Sequence, residues 1–192
     1  MVFFKHLQKI LTMKNGSTQT LTRPKAGSQL EEFFVESLKD IYWAEKHLTK
    51  AIPKMIKAAT TEELQEVLDE HLVVTRDQVV QLEKIFEMMG KKPQSEKCDA
   101  MEGLTKEADD IIAATEEGSM TRDVAIIMAA QKIEHYEIAT YGTLVRLART
   151  MGRDDVAHAL QNILDEEKEA DMTLSGVAEN NVNVEAYQEV AV

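Results

Sequence analysis

The chain has 192 residues, a net charge of −12 and one cysteine, Cys98. This length is enough for one domain with a sizeable core. Residues 1–27 carry five basic residues and no acid, so the remainder carries −17. Such an acidic body argues against nucleic acid as the main partner and suits cations, although a solvated acidic surface is the more common cause. No apolar run approaches the ~20 residues of a membrane span, and a single thiol favours a reducing, cytoplasmic location.

The first segment, residues 1–27, is predicted to be a flexible basic leader. Polar Thr, Ser and Gly residues around Pro24 give it the character of a linker. Ser28 is a plausible helix N-cap, with Glu31 three residues later as in a capping box. The apolar period that follows predicts a first helix over residues 29–58.

A second helix is predicted over residues 61–89, after Thr60 or Thr61 and before Gly90. Weaker periodicity predicts a short helix near residues 97–116, within a long connection. The remaining elements are a helix over residues 121–151 with Thr121 as its N-cap, a helix over residues 153–179, and a polar tail over residues 181–192.

The order of these elements is a hairpin, a long crossover and a second hairpin. Long-crossover bundles of this kind are the ferritin-like arrangement. The sequence therefore predicts an all-α, ferritin-like four-helix bundle over residues 28–180, with a short extra helix in the crossover.

Each long helix carries a polar residue near the middle of its inward, otherwise apolar stripe. Carboxylates gathered in a core repel one another and lose hydration, and a divalent cation relieves both costs. Carboxylates with one imidazole suit iron or manganese. The sequence therefore predicts a core site for one or two such ions. Its candidate ligands are Glu45, His71, Glu134, Glu137, Glu167 and Asp171.

Each candidate ligand also has a plainer interpretation. His71 could be a hydrogen-bonded core histidine, and Glu45 could reach a bundle edge and pair with a lysine. Glu137 could face solvent, and Asp171 could pair with Lys168 or another basic residue. Together, the carboxylates could share protons in a metal-free core.

Other polar residues near the stripes have a supporting interpretation. Asp40, Tyr42 and His135 have a less favourable helical phase and could only orient the ligands. Tyr141, one turn from Glu137, could hydrogen-bond a ligand.

Several sequence blocks resemble the stress-associated YciE/YciF family, over about residues 29–180. The resemblance implies a ferritin-like bundle and a homodimer. The blocks are Asp40-Ile41-Tyr42-x-Ala44-Glu45-Lys46-x-Leu48, Lys97-Cys98-x-Ala100-Met101-Glu102-Gly103-Leu104, Glu134-His135-Tyr136-Glu137-Ile138-Ala139 and Glu166-Glu167-Lys168-x2-Asp171.

The wider ferritin-like superfamily supplies a second pattern. Its rubrerythrin-type members carry Glu-x-x-Glu on the third helix, which Glu134 and Glu137 match. Those relatives carry Glu-x-x-His on helices 2 and 4. In this chain Leu68 stands where the carboxylate before His71 is expected, and Ala170 stands where the second histidine is expected.

These observations give two functional hypotheses. The first is a ferritin-like stress protein that binds iron or manganese, with peroxide-reducing or ferroxidase-type activity if the metal is redox-active. The alternative is a non-catalytic helical stress protein with a metal-free polar core, which acts through dimerisation or partner binding. An iron store is disfavoured, because nothing in the sequence specifies a hollow shell.

Overall fold

The computed structural model describes residues 27–190, so almost all of the predicted leader lies outside the described residues. Every regular element in residues 27–190 is a helix. The helices, labelled in chain order, are α1 (Gln29–Ala58), α2 (Glu62–Met88), α3 (Asp99–Ala114), α4 (Met120–Thr150), α5 (Asp154–Val177) and α6 (Asn183–Gln188), with a π-helical turn at Ala178–Val182.

The four long helices enclose one core. Helix α1 packs against α2 and α4, and α5 packs against the same two helices. The short helix α3 lies in the connection from α2 to α4 and packs against α1 and α4. This order of hairpin, crossover and hairpin confirms the predicted ferritin-like bundle.

Polar caps begin the first two helices where the sequence predicts them. The Ser28 hydroxyl accepts the backbone N–H of Glu31 at 3.2 Å before α1. The Thr61 hydroxyl accepts the N–H of Leu64 at 3.3 Å before α2. Such caps satisfy N–H groups that have no partner within the helix.

The predicted N-cap of α4, Thr121, is wrong. Ser119 caps this helix, because its hydroxyl accepts the backbone N–H of Arg122 at 3.1 Å. Thr121 lies in the first turn and donates its N–H and its hydroxyl to Glu189, at 2.9 and 2.8 Å. The N-cap of this helix therefore lies two residues earlier than predicted, and Glu189 adds an acceptor for the N–H groups of its first turn.

The chain beyond α5 is helical as far as Gln188, where the sequence suggested a polar tail. Val182, in the π-helical turn, is only 2% exposed. The turn and α6 both pack against α4. Burial of this apolar side chain, together with the Glu189 contact, holds the segment against the bundle.

The core is apolar towards both ends of the bundle and polar at its middle. Burying a Leu, Ile or Phe side chain contributes about 1.5–3 kcal/mol, so the apolar ends stabilise a fold with a costly centre. Among the described helices, none combines the length and apolar character needed to cross a bilayer. Fully buried apolar residues include Phe34, Leu38, Ile41, Leu64, Leu82, Ile85, Phe86, Ile126, Leu160 and Ile163.

Candidate metal centre

Four glutamates lie at the middle of the bundle with almost no exposure to solvent. Glu45 and Glu167 are 0% exposed, Glu137 is 1% and Glu134 is 2%. The structure therefore places Glu45 away from the bundle edge and Glu137 away from solvent. Each helix delivers its residue inward because the positions follow the apolar stripe.

Four of the six predicted ligands converge on one point. His71, Glu134, Glu137 and Glu167 each offer a ligand atom, and these atoms all lie within 4.8 Å of one another. The Nε2 atom of His71 lies 3.1 Å from Oε1 of Glu134. Helices α2, α4 and α5 thus supply three carboxylates and one imidazole to a single group.

Most carboxylate oxygens in this region have no hydrogen-bond partner among residues 27–190. The unpartnered buried oxygens include Oε2 of Glu134, both side-chain oxygens of Glu137 and Oε2 of Glu167. A buried acceptor without a partner costs about 1–3 kcal/mol, and more when it is charged. A bound cation would satisfy these atoms and neutralise their charge, so the residues fit a metal ion.

The fourth glutamate, Glu45, lies beside this group. The Tyr141 hydroxyl donates to Glu45 Oε1 at 2.5 Å, while Glu45 Oε2 has no hydrogen-bond partner in the described chain. Burial raises the pKa of Glu45 to about 7, although the Tyr141 hydrogen bond and the charge of His71 oppose this rise. Glu45 is therefore balanced between its neutral and ionised forms near neutral pH.

Burial and mutual repulsion shape the titration of the other groups. Burial raises the pKa of Glu137 well above its usual value, and the charges of Glu45, Glu167 and Glu134 raise it further. Burial, followed by the charges of Glu45 and Glu134, raises the pKa of Glu167 well above its usual value. Burial lowers the pKa of His71, but the charge and hydrogen bond of Glu134 outweigh it and leave the pKa raised. Without a cation, these carboxyl groups therefore keep their protons to a higher pH than exposed glutamates do.

Gln78 is a residue of this centre that is absent from the ligands predicted from the sequence. Its side-chain Nε2 donates to Glu167 Oε1 at 2.6 Å and to Glu166 Oε2 at 3.1 Å. Gln78 is 0% exposed and lies on the inward stripe of α2, two turns after His71. That inward position was the available signal, because a buried amide requires polar partners.

The structure does not bring Asp171 into the convergent group. Its Oδ1 atom lies 3.3 Å from Gln131 Nε2 and 3.4 Å from His135 Nε2, and its side chain is 21% exposed. Lys168 instead pairs with Asp165. A position one turn from Glu167 thus faces the side of the bundle.

The residues interpreted as supporting the ligands contact other groups. Asp40 accepts the Tyr136 hydroxyl at 2.7 Å, and Tyr42 donates to Glu83 at 2.7 Å. Of the three, His135 is mostly exposed and faces Asp171. The hydrogen-bonded neighbours of the buried carboxylates are instead Tyr141, Gln78 and His71.

The fold and the buried carboxylate–imidazole group define a ferritin-like helical bundle protein. A two-domain protein from Anabaena variabilis that contains a ferritin-like domain has a similar fold, with a TM-score of 0.57 and 14% identity. The similarity covers 100% of this chain and 52% of that protein. This likeness concerns the fold alone.

Closer matches define the family. Residues 29–187 match the family described as a domain of unknown function, DUF892, and the chain belongs to that family. Protein YciF of Escherichia coli is 43% identical over 158 residues, which cover 82% of this chain and 95% of YciF.

Two solved structures of similar proteins cover nearly their whole chains. The crystal structure of the E. coli stress protein YciF has a TM-score of 0.77 and 42% identity, covering 82% of this chain and 99% of that one. A protein from Rhodopseudomonas palustris described as "YcfI, a putative structural protein" has a TM-score of 0.75 and 38% identity, covering 83% and 98%.

Proposed function

We propose that this chain is a stress-associated ferritin-like protein that binds one or two iron or manganese ions in the bundle core. The observation that carries this proposal is the set of buried, unpartnered carboxylate oxygens that converge with His71. Three helices would not gather such oxygens in an apolar core unless another group satisfied them. The relation to stress rests on the similarity to YciF, which is described as a stress protein.

The ligand set proposed for the first ion is His71, Glu134, Glu137 and Glu167. Oxygen-rich sets with one nitrogen suit iron and manganese better than softer metals. A second ion would draw on Glu45, whose Oε2 is also unpartnered. Asp171 is left out of the set, because its hydrogen-bonding partners lie elsewhere.

A redox-active ion would supply electron transfer to or from a peroxide or a ferrous substrate. The protein groups would do the rest. The carboxylates would hold the ion, Tyr141 would keep Glu45 oriented and hold a proton at its hydroxyl oxygen, and Gln78 would fix Glu167. The apolar residues above and below the centre would exclude water.

Elemental analysis of freshly purified protein tests the metal proposal. Iron or manganese is expected at one to two ions per chain. The double variant Glu134→Ala with Glu167→Ala is expected to lose the metal, whereas the control Asp171→Ala should keep it. Normal metal content in the double variant would refute the proposed site.

A second candidate function is a structural helical stress protein that acts through dimerisation or partner binding. The raised pKa values of Glu45, Glu137 and Glu167 support it, since protonated carboxyl groups can share hydrogen bonds without a metal. The description of the R. palustris relative as a putative structural protein also favours it. A metal-free core, with no change in melting temperature on adding iron, manganese or a chelator, would select this function.

We also propose that the protein is a cytoplasmic homodimer. The single Cys98 is buried, as expected for a thiol kept reduced. Phe33 is 58% exposed beside a groove that Ala139 and Leu147 help to line, which offers an apolar contact for a second copy. Sedimentation analysis should give twice the mass of one chain. The Phe33→Asp variant should give a lower mass, towards that of a single chain.

A further inference from the structure

A groove on the surface of the bundle leads towards the metal centre. It lies between α2 and α5 and has a volume of about 290 Å³. Leu68, Leu174 and His71 line it, together with the carboxylates of Glu70 and Glu166 and that of Glu169. None of the α2 and α5 residues that line the groove is a Lys or an Arg. An acidic cleft with low-dielectric walls concentrates cations.

His71 stands between this groove and the buried carboxylates. A second, smaller cavity of about 10 Å³ is lined by Leu68, His71 and Glu134 on the inner side. The His71 side chain is 11% exposed, and Glu134 is 2% exposed. Glu134 Oε2 is buried and has no hydrogen-bond partner among the described residues, and Glu134 lines the inner cavity. Leu68 and His71 line both cavities, so these two side chains separate the groove from the core.

A second connection runs through Gln78. Its Nε2 atom donates both to Glu166, in the groove, and to Glu167, in the core. Glu166 is half-buried, whereas Glu70 and Glu169 are exposed. The three carboxylates therefore span the distance from solvent to a group one amide away from the proposed ligands.

We propose that the acidic groove between α2 and α5 is the access route by which a divalent cation reaches the core. Glu70 and Glu169 attract the hydrated ion, Glu166 receives it, and His71 turns aside to admit it. This inference rests on the proposed metal-binding function. It assigns a role to three carboxylates that the ligand set does not use.

The test compares the rate of metal uptake with the final amount bound. Metal-free protein is mixed with Mn²⁺, and the loss of the free-ion signal is followed by electron paramagnetic resonance. The groove variant combines Glu70→Gln, Glu166→Gln and Glu169→Gln, which keep side-chain size and an acceptor oxygen. The matched control combines Glu87→Gln, Glu116→Gln and Glu117→Gln, which remove the same charge from exposed positions elsewhere.

The groove variant should load about ten-fold more slowly than the control at low ionic strength, within the range that electrostatic focusing reaches. The difference should shrink at high salt, and the final Mn²⁺ content should be unchanged. A further variant, Thr173→Trp, places a large neutral side chain in the groove and should slow both uptake and release.

The possible failures are distinguishable. If the unmodified protein removes neither Mn²⁺ nor, in a parallel anaerobic assay, Fe²⁺ from solution, the proposed function fails and this inference fails with it. If the unmodified protein loads, but the groove variant loads as fast as the control, the access route alone is refuted. Thermal unfolding of each variant verifies that it is folded.

Discussion

Helix α4 carries two buried carboxylate regions that differ in how their oxygens are used. Asp123, near its start, is 0% exposed and accepts hydrogen bonds from Thr60 N–H (2.6 Å), Thr61 N–H (2.9 Å) and the Thr61 hydroxyl (2.7 Å). Glu137, near its middle, is 1% exposed, and within the part of the chain that the structure describes neither of its carboxylate oxygens has a hydrogen-bond partner. The two carboxylates are equally buried, but only Asp123 accepts hydrogen bonds from protein groups.

This contrast separates a structural carboxylate from a candidate ligand. Asp123 joins α4 to the turn between α1 and α2, so its charge is compensated within the protein. Glu137 faces other carboxylates, so its compensation must come from protons or from a cation. Burial alone would have given both residues the same interpretation.

The largest effect is expected from Asp123→Ala. The substitution leaves two backbone N–H groups and a hydroxyl of a half-buried turn without their acceptor, so we expect a loss of about 4 kcal/mol in unfolding free energy. Urea unfolding of metal-free protein measures this loss, with Glu117→Ala as the exposed control. Metal binding should still stabilise the variant. A loss below about 1 kcal/mol would mean that Asp123 is not the structural member of the pair.

The pH dependence of stability should reveal the unsatisfied region. Burial raises the pKa of Glu45 from 4.5 to about 7, so the folded state holds a proton that the unfolded state releases. The contribution of Glu45 to the free energy of unfolding is fully present below pH 4.5 and is lost as the pH rises through about 7. The raised pKa of His71 acts in the same direction at higher pH.

We therefore expect metal-free protein to be less stable at pH 8 than at pH 5, on the order of 3 kcal/mol from Glu45 alone. Urea unfolding across this range measures the decline. Glu45→Gln should make it shallower, and Mn²⁺ should largely remove it, because the ion replaces the protons. A flat profile would contradict the assignment of unsatisfied carboxylates.

A smaller effect of the opposite sign is expected from Glu137→Gln. The amide cannot ionise, so it adds no charge to the repulsive cluster at any pH, and it can donate to free oxygens of Glu134 and Glu167. Metal-free protein should gain about 2 kcal/mol at pH 8, the reverse of the Asp123 result. The variant should lose the metal-induced rise in melting temperature. The exposed Glu185→Gln serves as a control, and a destabilised Glu137→Gln would show that the carboxylate has a partner.

The smallest effect is expected from Tyr141→Phe. This change removes the hydroxyl that donates to Glu45 and leaves a buried acceptor unpaired, at a cost of about 1 kcal/mol. Because that hydrogen bond lowers the pKa of Glu45, its loss should also move the pH-dependent decline in stability to higher pH. Tyr187→Phe, at a 92% exposed position, should change neither quantity. Equal behaviour of the two variants would remove Tyr141 from the centre.

The fold could be predicted from the sequence because helical periodicity and end signals are local. Ser28 and Thr61 cap the helices that they were expected to cap. The start of α4 was misassigned to Thr121, because Ser119 and Thr121 are both good N-cap residues and the sequence does not separate them. Ser119 caps the helix, and Thr121 lies in its first turn, where it contacts Glu189.

The centre could be predicted only as far as helical phase allows. Glu134 and Glu167 lie on apolar stripes, and their convergence followed from placing four stripes around one core. Asp171 lies only one turn from Glu167, but it faces Gln131 and His135. Gln78 was not predicted as a site residue, because the sequence does not indicate which acceptor a neutral amide on an inward stripe will contact.

The sequence by itself determined that polar residues would sit at the middle of four long helices, because periodicity fixes which face of a helix is buried. The tertiary structure decided which of these residues meet, since meeting depends on the rotation and spacing of helices that are distant in sequence. It also decided that Asp123 is satisfied and Glu137 is not, because hydrogen-bond partners come from other elements. The groove beside His71 belongs to the same class, as it exists only where α2 and α5 come together.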